Sequence, residues 1–68
     1  MTFNIRQETI KDYYISCNYE PFTGVYSTTL NRTYNGADYH TLRTTRTPKR
    51  TNALATFRRY VREVKEGR

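Results

Sequence analysis

The stretch that decides the fold is "YYISCNYEPFTGVYSTTLNRTYNGADYHTLRTT", residues 13–45. It is rich in Tyr, Thr, Val and Ile, which pack well on the pleated surface of a strand. Two turn signals divide it. Pro21 is suited to the second position of a turn that Gly24 closes, and Asn35-Gly36 offers the positive φ that a tight hairpin needs. The stretch therefore predicts three antiparallel strands, near residues 12–20, 25–33 and 37–46.

The two turns also predict how the strands pair. A four-residue loop at Pro21–Gly24 and a three-residue loop at Tyr34–Gly36 place Ile15 opposite Leu30, and Leu30 opposite His40. Arg32 then faces Asp38 as an opposite-charge pair. A two-residue turn at Asn35-Gly36 would instead put Leu30 and Leu42 on opposite faces, because a one-residue slip moves every side chain across the sheet. We therefore prefer the three-residue loop.

This pairing sorts the strand residues into two faces. The predicted apolar face consists of Tyr13, Ile15, Cys17, Tyr19, Tyr26, Thr28, Leu30, His40, Leu42 and Thr44. The predicted polar face consists of Tyr14, Ser16, Asn18, Ser27, Thr29, Asn31, Tyr39, Thr41, Arg43 and Thr45.

The C-terminal segment shows an apolar stripe at helical period, at Leu54, Phe57, Val61 and Val64. We predict a helix near residues 48–66 that covers the apolar sheet face. The predicted fold is α+β, a three-stranded antiparallel sheet packed on one C-terminal helix (β-β-β-α), in a single domain of residues 1–68. Residues 1–11 form either an arm or an additional short strand.

The ends of this helix carry signals of their own. Thr47 suits the N-cap, and Pro48 suits the first helical position. Gly67 is expected to end the helix. The basic stretch "RTTRTPKR", residues 43–50, then spans the end of the third strand and the first helical turn. Its cations are therefore held in place by the fold.

The charge is distributed unevenly along the chain. Residues 1–34 carry three basic and three acidic side chains, whereas residues 35–68 carry nine basic and three acidic ones, so the second half holds the whole net charge of +6. The electrostatic field of this positive half attracts polyanions, among which nucleic acids are the commonest partners. The alternative is a solvated surface that keeps a small domain in solution.

The polar sheet face is the first candidate for binding. Hydroxyl and amide groups bond phosphates and base edges, and arginine reads guanine. Here too an ordinary solvated face is the alternative. The predicted contacts to nucleic acid are Tyr14, Ser16, Thr29, Tyr39, Thr41, Arg43, Arg46, Lys49 and Arg50, with secondary phosphate contacts from Arg58, Arg59 and Arg62.

The segment "YYISCNYEPFTGVY", followed by a strand and a threonine-led basic helix start, resembles the N-terminal arm-binding domain of phage and transposon tyrosine integrases. The resemblance covers residues 12–64. It implies a three-stranded sheet inserted into the DNA major groove, with contacts from Tyr14, Ser16, Thr29, Tyr39, Thr41 and Arg43. It also implies a phage or mobile-element origin. In contrast to those integrases, no catalytic domain is expected within these 68 residues.

The sequence does not favour an enzyme. His40 is the only histidine, and its predicted neighbours Leu30 and Leu42 could not orient it for acid–base catalysis. Cys17, the only cysteine, is interpreted as a core residue in a reducing compartment. We expect no catalytic residue, metal site, cofactor or small-molecule substrate, and no membrane segment. The expected location is the cytoplasm.

Two function classes remain open. The first is a nucleic-acid-binding module, with DNA favoured over RNA. The second is a phage-encoded inhibitor or adaptor that binds a host protein–nucleic-acid complex and blocks its nucleic-acid path. Tyrosine richness suits either class, because tyrosine is also enriched in protein interfaces.

Overall fold

A computed structural model describes residues 2–34 and 38–67. One antiparallel sheet has the strand order β1-β2-β3-β4, and a helix packs on one of its faces. The elements are β1 (Phe3–Ile10), β2 (Tyr13–Glu20), β3 (Val25–Tyr34), β4 (Asp38–Thr47) and α1 (Arg50–Lys65). The predicted three-stranded β-β-β-α fold is therefore wrong, because the sheet has four strands.

The additional strand is β1. It lies in residues 1–11, for which the sequence left open an arm or an additional short strand. It pairs with β2 from Phe3 to Ile10, and the register shifts between Asn4 and Arg6. Such a shift interrupts the two-residue alternation by which a strand is recognised. The turn to β2 is equally inconspicuous, since its positive φ of 53° falls on Lys11 and not on glycine or asparagine.

The pairing of β2 with β3 agrees with the prediction. Ile15 lies opposite Leu30, and Cys17 lies opposite Thr28. Gly24 closes the intervening turn with a φ of 69°, and its N–H donates to the Glu20 carbonyl at 2.8 Å. A left-handed residue at this point is the role for which glycine is suited.

The pairing of β3 with β4 differs from the prediction. Leu30 pairs with Arg43, and Arg32 pairs with His40 in place of Asp38. A register shift after Leu30 inserts one extra residue, Leu42, into β4. A bulge of this kind reverses the side-chain alternation beyond it. The prediction for the turn at Asn35-Gly36 lies outside the described residues.

The bulge places four residues differently from the prediction. Arg43 and Thr45, predicted on the polar face, lie on the helix side and contact Glu63 and Tyr60. Leu42, predicted to be a core residue, is 49% exposed. Thr44, which pairs with Thr29, lies on the face away from the helix and not on the predicted apolar face.

The helix begins two residues later than predicted. Thr47 still pairs with Tyr26 in the sheet, so it cannot act as the N-cap. Its hydroxyl instead accepts a hydrogen bond from the Lys49 N–H at 3.2 Å. Lys49 is the N-cap without a side-chain hydrogen bond. The predicted end is confirmed, since Gly67 has a φ of 76° and its N–H donates to the Val64 carbonyl.

The core lies between α1 and the sheet. Cys17 is fully buried there as predicted, and the Thr28 hydroxyl donates to the Ala53 carbonyl of the helix. In residues 2–34 and 38–67, no helix is long and apolar enough to cross a lipid bilayer. The buried apolar residues are Ile15, Cys17, Leu30, Ala53, Phe57 and Tyr60.

Candidate functional site

The face of the sheet away from the helix, here called the open face, carries side chains from all four strands. Strand pairing places Ser16 beside Thr29, Asn31 beside Thr41, and Tyr39 beside Thr33. The open face therefore includes six of the predicted contact residues: Tyr14, Ser16, Thr29, Tyr39, Thr41 and Arg46.

Polar side chains of the open face bond to one another across the sheet. Ser16 is only 5% exposed and Asn31 only 3% exposed, although no second layer of the described residues covers them. Asn31 also donates to the Tyr14 carbonyl at 3.2 Å. Donors and acceptors that already have partners are poorly placed to read base edges. The chain of side-chain hydrogen bonds runs through Thr41, Asn31, Thr29, Ser16, Asn18 and Asn4.

The two arginines of β4, the third strand of the prediction, each form an ion pair. Arg43 lies on the helix side, where its guanidinium bonds Glu63 at 2.9 Å. Arg46 lies on the open face and bonds Glu20 at 3.0 Å. Among the described strand residues, Arg46 is the only cation on the open face. This face is therefore polar but carries little positive charge.

The cations concentrate on the other side of the molecule. A groove of about 610 Å³ runs between β1 and α1, with Phe57 and Val61 as its apolar surface. We call it the basic groove. Two acidic side chains, Glu8 and Glu66, also line it. Its cations are Arg6, Arg58, Arg62 and Lys65.

Helical geometry explains why these cations meet. Residues 58, 62 and 65 are four and three positions apart, so their side chains project from one side of α1. Arg6 reaches the same space from β1. Lys65 lies 3.8 Å from Glu8. Within residues 2–34 and 38–67, Arg6, Arg58 and Arg62 form no ion pair, so the basic groove keeps an excess of positive charge.

The remaining predicted cations lie elsewhere. Arg59 lies over the Tyr60 ring at 5.7 Å, and the Tyr60 hydroxyl bonds Thr45 of β4. Arg59 is therefore on the β4 side of the helix and outside the basic groove. Lys49 and Arg50 are exposed at the junction of β4 and α1.

A second cluster lies on the helix side of the sheet. Arg32 pairs with Tyr13 on one side and with His40 on the other. The Arg32 guanidinium lies 5.8 Å from the Tyr13 ring centre and 5.6 Å from that of Tyr34. His40 was predicted inside the packed face beside Leu30. It is instead exposed, and its ring meets Tyr34 edge to face at 5.1 Å.

Sequence reasoning missed the basic groove for one main reason. Arg58 and Arg62 were visible as helix cations, but Arg6 joins them only because β1 is a strand of the sheet. The pairing of His40 with Arg32 lies on the hairpin side of the bulge, where the register differs by two residues from the predicted pairing of Arg32 with Asp38. The Arg32–Tyr13 pairing, in contrast, follows from the β2–β3 register that the sequence did predict.

Comparisons with known protein families, with curated proteins and with solved structures find no match for this chain. The resemblance to integrase arm-binding domains therefore stays a prediction. Among residues 2–34 and 38–67, no group of three or more His, Cys, Asp or Glu side chains is placed to hold a metal ion.

Proposed function

We propose that this protein is a small nucleic-acid-binding module that holds the phosphate backbone in the basic groove between β1 and α1. The observation that carries the proposal is the convergence of four cations from two elements on one groove. Guanidinium groups are well suited to phosphate, because their N–H donors form paired, charge-assisted hydrogen bonds with its oxygens. The net charge of +6 adds long-range attraction.

The basic groove supports this function better than the open face does. Phosphate recognition needs cations that are free to pair, and the one cation on the described strands of the open face is bonded to Glu20. Arg43, proposed from the sequence as the base reader, lies on the opposite side of the sheet and bonds Glu63. Direct reading of bases by the open face is therefore the weaker form of the proposal.

The proposal predicts binding that weakens steeply with salt. We would titrate the protein into labelled random-sequence oligonucleotides, single-stranded and duplex, and follow fluorescence anisotropy between about 50 and 200 mM salt. Three or four phosphate contacts should give a slope of log affinity against log salt of about −2 to −4. The proposal is wrong if neither ligand binds at the lowest salt, with far-ultraviolet circular dichroism confirming that the protein is folded.

A protein partner is the second candidate, and Phe22 favours it. This residue is 89% exposed in the turn between β2 and β3. The Glu20 carbonyl accepts the N–H groups of Thr23 and Gly24, which fixes the turn. Rigid exposed aromatic side chains are typical anchors of protein interfaces. An adaptor or inhibitor that docks on a protein–nucleic-acid complex would bind no free oligonucleotide, so the salt titration separates the two functions.

A further inference from the structure

We infer that the nucleic acid is single-stranded and that its unpaired bases stack on the cluster of Tyr13, Arg32, Tyr34 and His40. We call this cluster the aromatic shelf. The inference rests on the proposed function, because the basic groove would hold the phosphates of the same strand. It adds the class of nucleic acid and a second contact surface.

The shelf is exposed and held by its own contacts. Tyr34 is 42% exposed, and His40 and Arg32 are exposed too. Tyr13 packs partly against the core, which anchors the cluster to the sheet. The Arg32 guanidinium lies within 6 Å of two tyrosine rings, close enough for cation–π attraction. The exposed rings of Tyr34 and His40 and the guanidinium plane of Arg32 thus offer flat surfaces, and their mutual contacts order them before any ligand binds.

The shelf and the basic groove adjoin on the same side of the sheet. Glu8, which lines the groove, lies opposite Ile15, and the next row on this face pairs Ile10 with Tyr13. Two residues of strand separate these rows, a distance of about 7 Å. Single-strand sites in small domains cover about 4–16 nucleotides, so one short strand would reach both surfaces.

Stacking selects unpaired bases. In a duplex the base faces are already stacked on one another, whereas a single strand can turn its bases onto aromatic rings or an arginine plane. Stacking of this kind accepts any base, because every base has a π face. The combination of cations along a groove with aromatic rings beside it is the arrangement that single-strand binders use.

Tyr34→Ala is expected to weaken single-strand binding by on the order of tenfold, as measured by anisotropy with an oligonucleotide of about 12 nucleotides. His40→Ala gives a second, independent variant of the shelf. Tyr39→Ala is the matched control, because Tyr39 lies next to His40 in β4 but on the open face. The affinity of this variant for the oligonucleotide should stay within about twofold of wild type. Circular dichroism would confirm that each variant is folded.

An abasic oligonucleotide of equal length separates stacking from charge. It keeps the phosphates but has no bases, so it should bind wild type at least as weakly as the normal strand binds Tyr34→Ala. Wild type and Tyr34→Ala should bind the abasic strand equally. The inference is overturned if duplex binds as tightly as single strand, if both shelf variants bind like wild type, or if Tyr39→Ala is the damaging change. In those cases a lower oligonucleotide affinity of the Arg62→Gln variant would still support the proposed function. If no oligonucleotide binds wild type, both proposals fail.

Discussion

Replacing Phe57 by alanine is expected to lower the free energy of unfolding by about 3–5 kcal/mol. Phe57 is 3% exposed and belongs to the buried cluster between α1 and the sheet. Removing its ring leaves a cavity that neighbouring side chains fill only in part, which adds to the lost transfer free energy. At about 0.05–0.15 kcal/mol per residue, a chain of 68 residues has only about 3–10 kcal/mol to lose. The variant should therefore lose about a third or more of the stability of the domain, and a stability near the lower end of this range would be lost completely.

Urea denaturation followed by circular dichroism would measure this loss. Phe57→Leu is the accompanying variant for the case in which the alanine protein does not fold, and it should be destabilised by a smaller amount. Leu42→Ala is the control, because Leu42 is half exposed at the bulge and should cost less than about 1 kcal/mol. Equal losses from Phe57→Ala and Leu42→Ala would contradict the described core and the bulge together.

The double charge reversal Arg58→Glu with Arg62→Glu is expected to weaken oligonucleotide binding by about 100-fold or more. Each residue would lose a charge-assisted hydrogen bond of about 1.5 kcal/mol, and about 1.4 kcal/mol corresponds to a factor of ten in affinity. Both side chains line the basic groove and lie on the exposed side of α1, so the fold should tolerate the change. Anisotropy titration at constant salt would measure the loss.

The control keeps the same change in net charge. Arg50→Glu with Arg59→Glu alters two exposed arginines of the same helix that lie outside the basic groove. Its loss should be several-fold smaller, because only screened long-range attraction is removed. If both double variants lose affinity equally, overall charge and not the groove determines binding.

The sequence predicted the parts of the fold whose signals are local. The strand pairing of Ile15 with Leu30 followed from Pro21 and Gly24, since a tight turn fixes the register of the strands it joins. The helical stripe that includes Phe57 is set by a period of 3.6 residues, and Gly67 marked its end. These features depend on residues that are close together in the chain.

The features that the sequence missed depend on backbone irregularities. A bulge adds one residue to β4 at Leu42, and neither Leu42 nor its neighbours carry a glycine or proline that would signal it. Its consequence is large, because Arg43 moves to the helix side and the proposed base reader is lost from the open face. In β1, the shift after Asn4 concealed the strand that supplies Arg6 to the basic groove.

The central claim is that the basic groove holds the phosphates of the nucleic acid. The most direct test compares the salt dependence of single-strand binding between wild type and the double variant Arg58→Gln with Arg62→Gln. If the basic groove holds phosphates, each lost contact removes about 0.7 from the slope of log affinity against log salt, so the variant's slope should be shallower by about 1.4. Glutamine keeps a polar side chain at both positions but removes the positive charge and the guanidinium donors. A slope equal to that of wild type would contradict the account, because the phosphates would then be held elsewhere.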